Sequence, residues 1–163
     1  MSDSIFKDNL FEGKRVFITG GATGMGLGFA EAFLKHGAKV IIASRKEEKL
    51  SEAAKTTEEK LGKELLWKQM DVRQNETVEE VAKYIETEWG GLDILINNAA
   101  GNFFAPVAAM SENAWRAVID IVLDGTFRVS KACYPLLKES KDDASIVNII
   151  ANYAWNEAPF VGH

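Results

Sequence analysis

Cysteine is almost absent from this chain. Its 163 residues contain one, Cys133, so an internal disulfide is impossible and a reducing compartment is the simpler expectation. With two histidines, His36 and His163, beside that cysteine, no Cys/His grouping has metal-ligand spacing, and no metal is expected. No apolar run approaches the roughly 18 residues that cross a bilayer, so no membrane span is expected. Positive charge is not in excess either. Nineteen Lys and Arg face 24 Asp and Glu, a formal net charge of −5, which disfavours nucleic acid and anionic membranes as partners. The stretch Met1 to Asp8 has no apolar signal core and carries acids where a transit peptide avoids them, so the cytoplasm is the expected location. A composition of 47% hydrophobic and 26% charged residues excludes collagen-like, low-complexity and disordered chains.

The length predicts one domain, 1–163, large enough to bury about 68–70% of its unfolded surface. Short apolar runs at 14–19, 39–43, 65–70, 92–96 and 145–150 read as strands. Between them, apolar residues recur at helical spacing: Phe29, Ala30, Phe33 and Leu34; Leu50, Ala54, Thr57 and Leu61; Val78, Val81, Ala82, Ile85 and Trp89. A longer helix is predicted from Trp115 to about Leu137, with Ser111 as its N-cap. Strands that are apolar on both faces and alternate with helices predict a Rossmann-like α/β doubly wound parallel sheet. Right-handed crossovers with one change of winding direction predict the strand order 3-2-1-4-5. An edge strand followed by only 13 residues (151–163) predicts that the chain is the N-terminal part of a longer protein.

The turn Thr19-Gly20-Gly21-Ala22-Thr23-Gly24-Met25-Gly26 lies between the first strand and the first helix. Glycines there let the backbone approach a pyrophosphate, and the helix N-terminus offers unpaired N–H groups to it. The spacing Gly20-x3-Gly24-x-Gly26 departs from G-x-G-x-x-G, and the alternative is an ordinary tight turn. The second strand runs into Ser44-Arg45-Lys46, where an NAD-selective site places a carboxylate for the ribose 2′-OH. A hydroxyl and cations instead suit a 2′-phosphate, so NADP(H) is the expected cofactor. Arg45 and Lys46 otherwise read as solvated residues at a helix start. Asp71 after the third strand is placed to accept from an adenine amino group with Val72 against the ring, although Asp is also a common turn residue. Asn97 and Asn98 after the fourth strand are placed to tie strand ends, and Asn98-Ala99 to reach a cofactor ribose. His36 reads as a solvated residue beside a helix end.

TGGATGMG, a strand ending in SRK, then DV, then NNAAG, in that order, resemble the short-chain dehydrogenase/reductase family. NNAAGNF (97–103), NAWRAVIDIVLDGTF (113–127) and ANYAW (151–155) are more similar to its NADPH-dependent 2,4-dienoyl-CoA reductases than to its alcohol dehydrogenases. Two departures from the wider family fit that narrower resemblance. Val122 stands where the family usually has Asn, and Ile150-Ala151 stand where it usually has the Ser that assists a later Tyr. The resemblance implies Asn102 and Tyr153 as the catalytic donors to a thioester oxygen. It implies acyl-CoA contacts at Arg73, Phe103 and Ser111, each of which also has a plainer reading as surface cation, core side chain and helix cap. It further implies an acyl-CoA thioester substrate reduced in the β-oxidation of unsaturated acyl chains, and a homo-oligomer, a tetramer in the full-length family. The family's ribose-holding lysine and its last strand and helices are expected beyond His163. The other functions consistent with the sequence are an NADP-dependent carbonyl reductase or alcohol dehydrogenase of the same family and a non-catalytic nucleotide-binding protein.

Overall fold

The computed structural model describes residues 6–103 and 105–151. Strands β1 (Arg15–Thr19), β2 (Lys39–Ser44), β3 (Leu66–Gln69), β4 (Ile94–Asn97) and β5 (Ser145–Asn148) form one parallel sheet in the order β3-β2-β1-β4-β5. That is the order expected from the sequence. Helices α1 (Gly24–Lys35), α2 (Glu47–Leu61), α3 (Asn75–Trp89), α4 (Glu112–Val122) and α5 (Asp124–Lys138) connect them, with a short 3-10 turn at Val107–Ala109.

Successive side chains of a strand point to opposite faces, and here both faces are covered. Val16 and Ile18 of β1 join Val40 and Ile42 of β2 in a core with Ala30 and Leu34 of α1 and Leu50 of α2. Phe17 and Ile41 face the other way, into a core with Val78, Val81 and Ile85 of α3 and Val129 and Cys133 of α5. Each fully buried aliphatic side chain of this kind contributes about 1.5–3 kcal/mol. Burial raises the Cys133 thiol to about 12, which makes it a small apolar core residue at neutral pH.

Three local expectations are corrected. The apolar periodicity from Trp115 to Leu137 reads as one helix, but the chain breaks it at Leu123 between α4 and α5. At the break, side chains take up two backbone carbonyls: Thr126 Oγ1 donates to Val122 O at 2.7 Å and Arg128 Nη1 to Asp120 O at 3.3 Å. Gly125 then packs so close to Val72 that an added Cβ would lie 2.7 Å from Val72 Cγ2. Burial on both faces holds for the central strands but not at β5, where every residue is exposed. His36, read as solvated, is buried, with the Phe6 ring edge-on to its imidazole.

The end of the sheet where the strands begin is held by one ion pair. Asp93 Oδ2 accepts from Arg15 Nε at 2.9 Å and from Arg15 N at 2.8 Å; Oδ1 accepts from Arg15 Nη2 at 2.9 Å and from Ser140 Oγ at 2.6 Å. Arg15 Nη1 donates to Trp89 O, and Asp93 O accepts from Ser145 N. The starts of β1, β4 and β5 and the ends of α3 and α5 thus meet at the Arg15–Asp93 pair, whose carboxylate Arg15 holds far below the ordinary carboxylate range. A depressed carboxyl contributes stability that is present above its unfolded value of about 3.9 and is lost as pH falls below it. The pair is largely buried, so Asp93→Asn is expected to cost about 3 kcal/mol at pH 7 by urea denaturation. The gap between variant and wild type is expected to narrow as pH falls below about 4.

Candidate nucleotide-binding site

A cleft of about 450 Å³ opens where β1, β2, β3 and β4 end. It lies at the point where winding reverses, with β2 on one side of β1 and β4 on the other, the usual place for a ligand in an open α/β sheet.

The glycine turn forms its floor: Gly20, Ala22, Thr23, Met25 and Gly26 line it. Gly20 has φ +65° and donates to Ala43 O at 2.7 Å. A Cβ on Gly26 would lie 2.4 Å from Gly20 O and 2.6 Å from Asn98 Nδ2, so only glycine lets α1 approach the turn this closely. Gly21, packed on Ile42, and Gly24, at φ +57°, complete the turn without lining the cleft. No side chain caps α1, and no acid lies in its first turn. Its first amides and the positive end of its dipole are therefore left for an anion.

The wall beyond the turn is braced from inside the protein. Thr19 Oγ1 accepts from the backbone amides of Asn98 and Ala99, each at 3.0 Å. Asn98 Nδ2 donates to Thr19 O at 3.0 Å and Gly20 O at 3.1 Å. Both side-chain amide hydrogens and the backbone N–H of Asn98 are thus engaged inside the protein, leaving its oxygens for any ligand. Asn97 ties strand ends as expected, with Nδ2 donating to Asn148 Oδ1 at 2.9 Å and to Ser130 Oγ at 3.0 Å.

One rim is cationic. Ser44, Arg45, Lys46 and Lys49 line it. Lys46 occupies the N-cap position of α2, where it supplies no capping acceptor, and Gln69 Nε2 holds Arg45 O at 2.9 Å. Lys49 is the residue the sequence reading passed over. It stands in the first turn of α2, just after the Ser44-Arg45-Lys46 end of β2, and so comes to the same rim.

Beside it, where β3 ends next to β2, the rim continues through Asp71 and Val72. Among the described residues lining the cleft, Asp71 is the only carboxylate. It does not face the cleft unaccompanied: Arg73 Nε lies 2.9 Å from Oδ1 and 3.0 Å from Oδ2, Nη2 also donates to Oδ2, and Arg73 N donates to Oδ1 at 3.0 Å. This pairing holds the Asp71 carboxyl below its ordinary value and raises the Arg73 guanidinium. Val72 is buried, and its carbonyl is approached by Arg128 Nη1 at 3.5 Å.

The structure therefore gathers eleven of the thirteen residues expected at a cofactor into one cleft. It places Arg73 on Asp71, outside the cleft lining. Ser111 caps α4, its Oγ accepting from Ala114 N at 3.1 Å, with the residue itself exposed. Asn102 is exposed and Phe103 half-buried in the loop after β4. Tyr153 lies outside the described residues, as do Trp155 and His163. Among the described residues no cluster could hold a metal ion, and no helix is long and apolar enough to cross a membrane.

Taken together, a tight anion-ready turn, a cationic rim and a carboxylate beside an apolar side chain fit the pyrophosphate, the additional phosphate and the base of a phosphorylated dinucleotide. Gly26→Ala is expected to weaken binding of such a nucleotide at least tenfold and to lower stability by about 1–3 kcal/mol. Isothermal titration and thermal unfolding measure the two effects.

The sequence model described as short chain dehydrogenase matches residues 14–162. The peroxisomal 2,4-dienoyl-CoA reductase of Danio rerio, named as producing (3E)-enoyl-CoA, is 43% identical over 152 residues, covering 93% of this chain and 50% of that protein. A probable 2,4-dienoyl-CoA reductase of Bacillus subtilis (strain 168), named as producing (2E)-enoyl-CoA, is 40% identical over 152 residues, covering 93% and 59%. Among solved structures, L-sorbose reductase from Gluconobacter frateurii, complexed with NADPH and L-sorbose, superposes with a TM-score of 0.89 at 27% identity, covering 96% of this chain and 59% of that one. The chain thus spans about half the length of the curated relatives it matches. With the family pattern running through residues 14–162 and the sheet order and glycine turn in place, the chain belongs to the short-chain dehydrogenase family.

Proposed function

We propose that this chain carries the nucleotide site of an NADPH-dependent 2,4-dienoyl-CoA reductase acting in the β-oxidation of unsaturated acyl chains. The observation that carries the reading is one cleft in which the uncapped start of α1 faces the Ser44–Arg45–Lys46–Lys49 rim. The names of the zebrafish and Bacillus relatives support the substrate class.

In this reading Gly20–Gly26 hold the pyrophosphate, Ser44 and Arg45 grip the 2′-phosphate with Lys46 and Lys49 beside them, and Asp71 and Val72 receive the adenine. Asn98 and Ala99 meet a ribose through their acceptor oxygens, their backbone N–H groups being held by Thr19. When bound, the reduced nicotinamide supplies a hydride to the δ-carbon of the dienoyl thioester. Negative charge then gathers on the thioester oxygen. The Asn102 amide and the Tyr153 hydroxyl donate hydrogen bonds to that oxygen and so lower the barrier. A proton delivered to the α-carbon through water yields the 3-enoyl thioester. Arg73, Phe103 and Ser111 remain in the proposal as acyl-CoA contacts.

A homo-oligomer belongs to the same reading. Trp115, Leu123, Phe127 and Tyr134 along α4 and α5 are large and exposed, which supports a covered surface there. Cytoplasmic residence is carried forward from the sequence, beside a zebrafish relative named peroxisomal.

The protein in its natural form is expected to oxidise NADPH with 2,4-hexadienoyl-CoA and not with ketones or L-sorbose, giving the 3-enoyl product by NMR. Asn102→Ala and Tyr153→Phe are each expected to lower kcat by about 10²–10³ with NADPH affinity nearly unchanged. Turnover of ketones in place of the thioester would transfer the protein to the carbonyl reductases, and NADPH binding with no turnover of either to the non-catalytic nucleotide binders. Arg45→Glu is expected to weaken NADPH about tenfold or more while leaving NADH close to wild type, because only NADPH carries the extra phosphate. Equal losses for both would remove Arg45 from the 2′-phosphate.

A further inference from the structure

Arg73 has more contacts with Asp71 than a surface cation needs. Three of its nitrogens, N, Nε and Nη2, converge on one carboxylate. The Asp71 side chain keeps 14% of its surface exposed and Arg73 keeps 41%. Asp71 lines the cleft and Arg73 does not. The remaining acceptor capacity of the carboxylate is therefore on the cleft side, with the guanidinium behind it. The backbone beneath is equally constrained: Asp71 N donates to Thr77 Oγ1 at 3.2 Å, and Thr77 Oγ1 donates back to Asp71 O at 3.0 Å.

We infer that Arg73 is a positioning residue for base recognition: it holds Asp71 in one rotamer, so that the carboxylate presents an acceptor to the amino group of the nucleotide base. The inference rests on the nucleotide reading above and adds a residue to it. The chemistry is asymmetric between bases. A 6-amino group donates to the held carboxylate, whereas a 6-oxo group at the same place would bring lone pairs against lone pairs. A site built to hydrogen-bond one group rejects its replacement strongly only while the partner cannot turn away. Arg73 removes that freedom. It also balances the single carboxylate in a cleft whose other charged groups suit phosphates.

The test is a comparison of NADPH with its hypoxanthine analogue, in which the 6-amino group is replaced by oxygen. Dissociation constants are measured by nicotinamide fluorescence with no thioester present, for wild type, Arg73→Met, Arg73→Lys and Asp71→Asn, with thermal unfolding of each. Wild type is expected to prefer the adenine form about tenfold or more, the worth of one charge-assisted hydrogen bond. Arg73→Met and Asp71→Asn are expected to reduce the preference to within about threefold, and Arg73→Lys to keep most of it. A merely structural role would weaken both nucleotides alike and leave the ratio standing. An unchanged ratio in Arg73→Met, or a wild type indifferent to the base, would overturn the inference while the nucleotide reading stands. A wild type that binds neither nucleotide would overturn the nucleotide reading, and this inference with it.

Discussion

A single hydroxyl holds the mouth of the sheet together. Thr19 ends the central strand, is almost wholly buried, and accepts two backbone amides from the loop after β4. Asn98 answers by donating to the carbonyls of Thr19 and Gly20. Each such bond is worth only about 1 kcal/mol net, but removing a partner strands buried donors and costs more. Because the chain leaves β1 toward β2 on one side and the sheet continues to β4 on the other, these bonds set the distance between the two walls of the cleft. The close fit of Gly26 between Gly20 O and Asn98 Nδ2 depends on that distance.

The two ends of the sheet are built on opposite principles. Where the strands begin, Arg15, Asp93, Ser140 and the backbone satisfy one another in a largely closed network. Where the strands end, α1 starts without a capping side chain, and three cations line a rim whose one carboxylate is already paired. A folded chain keeps donors without partners only where something outside it can supply the acceptor. The contrast separates the end that stabilises from the end that binds.

Much of this was legible in the residues themselves. Val16, Phe17 and Ile18 predict a strand buried on both faces, and the structure divides them between two cores. The glycine spacing and the Ser44-Arg45-Lys46 end of β2 predict a site that forms one cleft. Periodicity could not reveal the break at Leu123, because the apolar stripe continues through it; beside the break Gly125 packs on Val72, and the Thr126 and Arg128 side chains donate to backbone carbonyls. Lys49 was hidden in a Lys- and Glu-rich helix that reads as solvated. His36 read as exposed because its neighbours are far away in the chain: the Phe6 ring stands edge-on to it and Phe11 N donates to its carbonyl.

Sequence alone determined the strand order and the residue types that end most of the strands at the cleft. Both follow from short-range facts: the period of apolar residues, the handedness of crossovers, and the residue types just after each strand. Tertiary structure alone decided which of those side chains are already engaged. Thr19 Oγ1 is taken by the backbone amides of Asn98 and Ala99, and Asn98 Nδ2 turns inward to Thr19 O. A side chain's partner is set by what long-range packing brings within about 3 Å, and no local pattern encodes that distance.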